Sequence, residues 1–474
     1  MSVKTTVWVF GDQLNSSIGA LREASPSTHR VLMIESRLKI SSRPWHVQRV
    51  HFIVDSMKQF AAELRDTGFE VDYRVSTSMR HGFAEHCDEC APTEVVVTEP
   101  NSFAARAMVE SLPVRMVKSD QFLCHPDLYK EFLGSRATVK MEDFYRWQRK
   151  RLDILMVGNQ PEGDRWNFDE ENRKPPPKTG HDRWPVPHSQ WATTRSGALE
   201  RLAFFVAHVL PGFGEYEDAM LSSNWHLAHS LLSPYLNNGL LLPAEVVEAV
   251  VTAYQSGSVP LNSAEGFLRQ VIGWREYIWN CYWQWMPDYA QMNVLNAQHD
   301  VPRMYTDPSA TSMACMKSVI TNVSERSYAH HIERLMVLGN FALIAGINPQ
   351  QLTTWMWNSF IDAAEWVMVP NVIGMSQYAD GGMLATKPYA SGGAYIDRMS
   401  DYCKGCRYDR KKRTGDDACP FTVLYWDFFL RHQERFVKNP RVARQVRAAQ
   451  QLQDSEELQV VAKSMLTKLN EGTL

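Results

Sequence analysis

The stretch TTVWVF, residues 5–10, is the first of five short apolar or β-branched runs within the first 120 positions of the chain. The other runs are VLMIE (31–35), VDYRV (71–75), EVVVTE (94–99) and PVRMVK (113–118). Apolar residues at helical spacing over 46–66 separate the second run from the third. Strands that alternate with helices are typical of a doubly wound parallel sheet. We therefore predict an α/β domain of this kind over residues 1–125.

Residues that suit ligand contacts stand where the first two predicted strands end. Asp12, Gln13 and Leu14 follow the first strand after Gly11, and Glu35 ends the second. Ligands of doubly wound sheets bind at the carboxyl ends of the strands. We therefore predict a ligand site that these residues form.

The rest of the chain divides by its pattern. Residues 126–200 are rich in proline and charge, which predicts an interdomain connector. Residues 201–440 show helical periodicity with almost no strand pattern, and residues 441–474 form polar helices. These patterns predict an all-α domain and a C-terminal helical extension.

The composition is globular, with 44% hydrophobic and 22% charged residues, and excludes a disordered or fibrous chain. No apolar run approaches the roughly 18 residues that a membrane span needs. The N-terminal run VWVF is too short for a signal peptide. We expect a cytoplasmic monomer without a membrane partner. The net charge of −3 does not favour a nucleic-acid partner, but a local basic surface would suffice for one.

The strongest motif is Cys403-x2-Cys406-x12-Cys419, followed by Pro420. Cys315 is the best candidate for a fourth ligand because it belongs to the same predicted helical domain. Four thiolates suit tetrahedral zinc or a [4Fe–4S] cluster, and spacing alone leaves open both metals and the absence of a metal. A second pair, Cys87 and Cys90 with His81 and His86 nearby, is a weaker candidate, and two unrelated thiols are the favoured interpretation there.

Two further motifs carry polar side chains on helices. Ser230 and Ser233 flank a helix that ends in Asn-Asn-Gly, where hydroxyls and free N–H groups suit a pyrophosphate. Capping and packing explain those serines equally well. His330 and His331 are adjacent, so one ring can face a pocket while the other orients it, and histidine is the natural proton donor near neutral pH. Taken alone, a solvated histidine pair at a helix start is the favoured alternative.

Several motifs together resemble one family. They are FGEYEDAM (213–220), HSLLSPYLNNGLL (229–241), QVIGWREYI (270–278), SYAHHIERLMVLGNF (327–341), WVMVPNVIGMSQYADGG (366–382), KPYASGGAYIDRMSDYCKGCRY (387–408) and the four-cysteine spacing. The chain resembles the iron–sulfur bacterial cryptochromes and photolyases, the prokaryotic (6-4) photolyase group, over nearly its whole length. The resemblance implies an antenna domain, a connector and a helical FAD domain, and it favours [4Fe–4S] over zinc at the cysteines.

The resemblance also implies the residues that hold the cofactors. The positions matching the FAD site are Tyr216, His229, Ser230, Leu232, Ser233, Gln270, Arg275, Asp362 and Met368, the last facing flavin N5. The positions matching the site of a 6,7-dimethyl-8-ribityllumazine antenna are Asp12, Gln13, Leu14 and Glu35.

The implied function is light-driven repair of pyrimidine (6-4) photoproducts, flipped out of damaged double-stranded DNA, by an electron from excited reduced FAD. His331 is expected to donate a proton to the lesion with His330 as its partner, and Trp355 to refill the flavin with electrons. The alternative is a blue-light photoreceptor without repair activity. Arg173 resembles a position near DNA, with Asp169 helping through a cation such as Mg²⁺.

Two departures from the family pattern bear on that choice. Asp307 stands where relatives usually carry tryptophan, so the electron route is expected to run differently, through Tyr305 or Trp357. Met368 replaces an acid or amide, and a thioether is a poor hydrogen-bond partner for N5–H.

Two basic stretches are candidates for contact with DNA. The segment 404–413 carries six Lys or Arg against one Asp, and Lys411 and Lys412 lie in it. A second basic patch is predicted from Arg146, Arg149, Lys150 and Arg151. For the first segment, a solvated loop is an equally good interpretation.

Overall fold

The computed structural model describes residues 4–177, 184–185 and 191–474. Its N-terminal part is a five-stranded, wholly parallel sheet with the order β3-β2-β1-β4-β5. The strands are β1 (Thr5–Trp8), β2 (His29–Ser36), β3 (Glu70–Ser76), β4 (Val95–Thr98) and β5 (Arg115–Val117). The helices among them are α1 (Gly19–Arg22), α2 (Arg37–Ser41), α3 (Val47–Asp66), α4 (Met79–Cys90) and α5 (Phe103–Glu110).

The central strands β1, β2 and β4 are mostly buried, which explains why they are largely apolar. Val7 and Val9 point into the large core that extends into the helical part. Trp8 and Phe10 point the other way, into a separate cluster that includes Phe83 of α4. The alternation follows from the two-residue period of a strand.

The residues between the sheet and the helical part contain regular structure. They include helices and a short antiparallel hairpin: α6 (Pro126–Leu133), α7 (Met141–Leu152), β6 (Met156–Val157) and β7 (Gln160–Pro161). The domain boundaries drawn from the sequence stay predictions.

The remainder is helical. Its α-helices are α8 (Arg195–Phe204), α9 (Phe213–Tyr216), α10 (Ser233–Asn238), α11 (Pro243–Gln255), α12 (Leu261–Leu268), α13 (Glu276–Trp285), α14 (Ala314–Arg326), α15 (Asn340–Ala345), α16 (Pro349–Ser359), α17 (Glu365–Pro370), α18 (Gly393–Met399), α19 (Pro420–Arg431), α20 (Gln433–Phe436), α21 (Ala443–Gln450) and α22 (Ser455–Asn470). Its π-helical turns are Phe205–Val209, Arg269–Arg275, Glu333–Gly339 and Asn371–Ser376. Such turns are frequent at functional sites.

The sheet and the helical part touch closely behind β1. The N–H of Leu14 donates to the Asn238 carbonyl at 2.8 Å, and Asn15 Nδ2 donates to the Gly239 carbonyl at 3.0 Å. Gly239 has a φ of +89°, and a Cβ there would lie 2.8 Å from the Leu14 nitrogen. Glycine is therefore required at this contact.

Among the described residues, no helix combines the length and the apolar character of a membrane span.

Candidate functional site

The four predicted cluster cysteines line one cavity. Cys315 is the second residue of α14, Cys419 precedes α19, and Cys403 and Cys406 share a tight turn. All four thiols are free.

Burial and neighbouring thiols raise the pKa of three of these groups. Burial raises the pKa of Cys403 to about 12, and it raises the pKa of Cys315 and Cys419 as well. The thiols of the other three cysteines raise the pKa of Cys315 further. Thiolates crowded in this way need a compensating cation.

The spread of the sulfur atoms distinguishes one metal ion from a larger cluster. No three of the four Sγ atoms, all in described residues, lie within 4.8 Å of one another. A single tetrahedral zinc with bonds of about 2.3 Å would hold its sulfurs about 3.8 Å apart. The sulfur atoms are therefore not arranged as the ligands of a single zinc ion.

A cluster of histidines lies deep in the helical part. The rings of His229 and His330 stack with centroids 4.2 Å apart and an interplanar angle of 16°. His330 is fully buried, and neither of its ring nitrogens has a hydrogen-bond partner among the described residues. Both ring nitrogens of buried His226 are likewise without a partner there.

Burial keeps these imidazoles neutral. It lowers the pKa of His226 to about 4 and that of His229 to about 3, and it lowers that of His330 far below the ordinary value. The side chain of His331, by contrast, is exposed. The pair therefore has one solvent-accessible ring beside one buried ring.

The carboxylate of Asp362 organises the neighbouring wall. It accepts hydrogen bonds from the Ser233 hydroxyl at 2.6 Å and from Arg334 Nη1 at 3.0 Å. The main chain beside it is held too, because Asn237 Nδ2 donates to the Asp362 carbonyl and Arg49 Nη2 to that of Ala363. The structure thus brings together Ser233 and Asp362, which the sequence predicted. Reasoning from the sequence missed Arg334, Arg49 and Asn237.

Three other predicted flavin contacts occupy two separate elements. Arg275 ends a π-helical turn, and its guanidinium lies over the Phe122 ring at 4.2 Å. Its Nε and Nη1 have no hydrogen-bond acceptor among the described residues. Burial lowers its pKa to about 10. In the same turn Gln270 Nε2 donates to the Gly266 carbonyl, and Met368 is buried in α17.

The remaining predicted contacts lie between α9 and α10. Tyr216 packs edge-on against Trp184 with centroids 5.2 Å apart. The Ser230 hydroxyl accepts the N–H of Leu232, which is buried and precedes α10.

Trp355 has aromatic neighbours on its own side of α16. Tyr305 meets it edge-on at 4.9 Å, and Phe360 at 5.9 Å. Trp357 contacts Trp45 instead, at 6.1 Å. Asp307 pairs with Arg303 at 2.8 Å. Of the two predicted routes, Tyr305 is the one in contact with Trp355.

The predicted antenna residues lie at the carboxyl edge of the sheet. Gln13 Nε2 donates to the Glu99 carbonyl, and its Oε1 has no partner among the described residues. Glu35 accepts the Tyr73 hydroxyl at 2.9 Å, and burial raises the pKa of Asp12. Leu14 is fully buried in the core.

The predicted DNA contacts differ in accessibility. Arg173 is exposed and lies 3.7 Å from Asp169. Lys411 is exposed, whereas exposed Lys412 pairs with Asp417 at 2.5 Å.

Arg149 corrects the prediction of a second basic patch. It is fully buried and donates to the carbonyls of Ile154, Leu155 and Trp166. It lies four residues after buried Tyr145, on the inner face of α7. The neighbouring Arg146, Lys150 and Arg151 remain exposed.

The second cysteine motif, Cys87 and Cys90, has partly different neighbours from those that the sequence predicted. Donor atoms of Asp72, His86 and Cys90 lie within 4.8 Å of one another, without Cys87 or His81. His86 is satisfied without a metal, because Nδ1 bonds Asp72 at 2.6 Å and Nε2 bonds Thr6 at 2.8 Å.

Known proteins resemble this chain in sequence and in fold. The family model for deoxyribodipyrimidine photo-lyase-related proteins matches residues 7–220. A (6-4) photolyase of Agrobacterium fabrum is 40% identical over 475 residues, covering 92% of this chain and 94% of the relative.

Two solved structures resemble the chain in fold. A bacterial class III photolyase from Agrobacterium tumefaciens matches with a TM-score of 0.63 and 16% identity, over 99% of this chain and 98% of that one. A cryptochrome from Synechocystis matches with a TM-score of 0.59 and 13% identity, over 98% and 95%. These matches confirm the predicted fold class.

Proposed function

Because the chain belongs to the photolyase/cryptochrome family, we propose that it repairs pyrimidine (6-4) photoproducts in damaged double-stranded DNA under light. The sequence predicted membership of this family and a photolyase-type enzyme, and both predictions are confirmed. The observation that carries the proposed substrate is the histidine cluster in a chain 40% identical to a protein named (6-4) photolyase.

Membership of the family implies a flavin, and we propose FAD as its form. The residues fit such a ligand, because Arg275 Nε and Nη1 and His229 Nε2 are buried polar atoms without hydrogen-bond partners in the described part of the chain. Arg275, His229, Ser230, Ser233 and Asp362 would hold it, with Tyr216, Leu232, Gln270 and Met368 completing the site. Bound FAD would supply the light-driven electron.

The cysteine cavity supports a [4Fe–4S] cluster as the second group. Four free thiols surround it, and their sulfurs are spread too widely for one zinc ion. Cys315, Cys403, Cys406 and Cys419 would be its ligands.

The proton chemistry of the proposed reaction belongs to His331 and His330. His331 is exposed beside buried His330, which suits a residue that meets a flipped-out base. Arg334 lies beside it and lowers its pKa, so the ring releases a proton readily once it holds one. Asp362 fixes Arg334 in turn.

The remaining roles concern the antenna, the DNA and a cation. Asp12, Gln13, Leu14 and Glu35 would hold a lumazine antenna at the edge of the sheet. Arg173, Lys411 and Lys412 would contact DNA phosphates. A cation such as Mg²⁺ at Asp169 would lie near Asp218, whose pKa is raised to about 6 by burial and, to a smaller extent, by Asp169.

A photoreceptor without repair activity is the second candidate, and two observations favour it. Met368 is buried and offers a flavin no strong hydrogen-bond partner. Asp307 pairs with Arg303, so this position adds no aromatic ring beside Tyr305 and Trp355. Both features bear on the electron supply and not on the histidine cluster.

The two candidates are separated by illuminating an oligonucleotide that carries a single (6-4) lesion with the fully reduced protein. Return of the undamaged oligonucleotide supports repair, and an unchanged lesion supports the receptor. His331→Ala is expected to abolish repair and to keep the flavin absorbance. His208→Ala, an exposed histidine of the same helical part, is the matched control and should repair normally.

A further inference from the structure

Glu333 is a buried acid that the proposed chemistry does not use. It begins the π-helical turn Glu333–Gly339, and both it and His330 are fully buried. Its Oε1 accepts the Tyr402 hydroxyl at 2.6 Å and lies 3.6 Å from His330 Nε2. Its Oε2 has no hydrogen-bond partner among the described residues. The carboxyl group thus lies between a tyrosine hydroxyl and an unpartnered imidazole.

A proton donor must hold a proton at the pH where it works. The imidazoles of His229 and His330 do not, because burial lowers the pKa of His229 to about 3 and that of His330 well below its ordinary value. Burial has the opposite effect on an acid, and it raises the pKa of Glu333 to about 7. A fraction of Glu333 is therefore protonated at neutral pH, directly beside His330.

The groups that face Glu333 determine how it shares that proton. Arg334 and the Tyr402 hydroxyl favour the carboxylate, and His330 meets it from the preceding turn. His229 stacks on the far side of His330, and His331 adds a further ring.

We propose that Glu333 is a positioning residue that stores the proton of the His330–His331 pair. The inference rests on the proposed repair function. In the transfer, Glu333 Oε1 and His330 Nε2 close from 3.6 Å to hydrogen-bond distance, the O–H bond of Glu333 breaks and an N–H bond forms at Nε2. Tyr402 donates its hydrogen bond to the carboxylate that is left, and the reverse transfer restores the acid. No electron moves between these residues.

The first test is the pH profile of repair in Glu333→Gln, which keeps the shape of the side chain and has no proton to give. We expect repair at neutral pH to fall about tenfold or more, and the limb of the profile near pH 7 to disappear. Tyr402→Phe removes a hydrogen bond to the carboxylate, so the same limb should move to higher pH. A purely structural role would lower the rate without moving the limb.

Glu265→Gln is the matched control. Buried Glu265 accepts the Tyr145 hydroxyl at 2.7 Å, as Glu333 accepts that of Tyr402, but none of its described hydrogen bonds or ion pairs involves a histidine. We expect its profile to match that of the wild type. A Glu333→Gln variant that repairs at the wild-type rate with an unchanged profile would overturn the proposal. If Glu333→Gln does not fold, the test is the pH profile of Tyr402→Phe. A limb at the same pH as in the wild type would then overturn the proposal.

Infrared spectroscopy in the dark separates this inference from the proposed function. A protonated carboxyl of Glu333 should give a C=O band that titrates near pH 7 and is missing in Glu333→Gln. If the wild type shows the band but repairs no lesion, the proposed repair function fails. The proposal that Glu333 holds a proton would stand in that case. If the two proteins give identical titrations, Glu333 holds no proton and the proposal fails.

Discussion

Acid should destabilise this protein through His226, and replacing that histidine should remove a defined part of the loss. His226 is 1% exposed, and both ring nitrogens lack a hydrogen-bond partner in the described part of the chain. Burial lowers its pKa to about 4. An unfolded histidine has a pKa of about 6.5. As the pH falls, the unfolded chain therefore binds the proton first, and stability is lost between pH 6.5 and the folded pKa.

The magnitude follows from the two pKa values. One pKa unit corresponds to about 1.36 kcal/mol, so the interval from pH 6.5 to pH 5 costs about 2 kcal/mol through His226 alone. For an unfolding unit the size of the predicted helical domain, residues 201–440, this amounts to about 4–8 °C in Tm. His226→Phe keeps a ring against Trp225 and loses none of the described side-chain hydrogen bonds.

The assay is thermal unfolding of the wild type and His226→Phe at pH 7 and pH 5. Other groups titrate in both proteins, so the useful quantity is the difference between the two pH-dependent losses of Tm. We expect the wild type to lose about 4–8 °C more than the variant. Equal losses would refute the reasoning, because His226 would then take up its proton equally well in the folded protein.

Three further outcomes are expected. Cys403→Ser should lose the visible absorbance of the cluster together with bound iron, and a colourless wild type containing zinc would contradict the assignment. Lys411→Ala should reduce the slope of log affinity for DNA against log salt by about 0.9, and Lys412→Ala by less because Asp417 already pairs with that amine; equal reductions would show that this pair does not persist. Arg149→Met should lower stability by about 3 kcal/mol or more, since three carbonyls lose a donor; a loss of DNA affinity at unchanged Tm would place Arg149 on the binding surface instead.

The central strands β1, β2 and β4 were predictable because they are mostly buried, which leaves apolar runs in the sequence. The cysteine cavity was predictable in part: the turn between Cys403 and Cys406 is local, and Cys315 was chosen because it shares the helical domain. Arg149 was misjudged because a run of basic residues suggests a solvated face. A signal was available, since the spacing from Met141 through Tyr145 continues inward to Arg149.

The acid and cationic partners of the site were missed for a different reason. Arg49 belongs to α3, whereas Asp362 and Ala363 lie more than 300 positions further along the chain. No local pattern carries such a contact. Glu333 was closer to detection, since an acid three residues after His330 lies on the same helix face.

The network around Glu333 also connects two parts of the site that the sequence presents separately. Tyr402 lines the cysteine cavity and precedes Cys403, while its hydroxyl holds Glu333 against His330. A group bound by the cysteines would fix the turn that carries Tyr402, and through it the orientation of the buried acid. A cysteine variant that folds should therefore change the pH dependence of the histidine pair even where the flavin is retained. The cysteines would then affect proton transfer through the position of Tyr402.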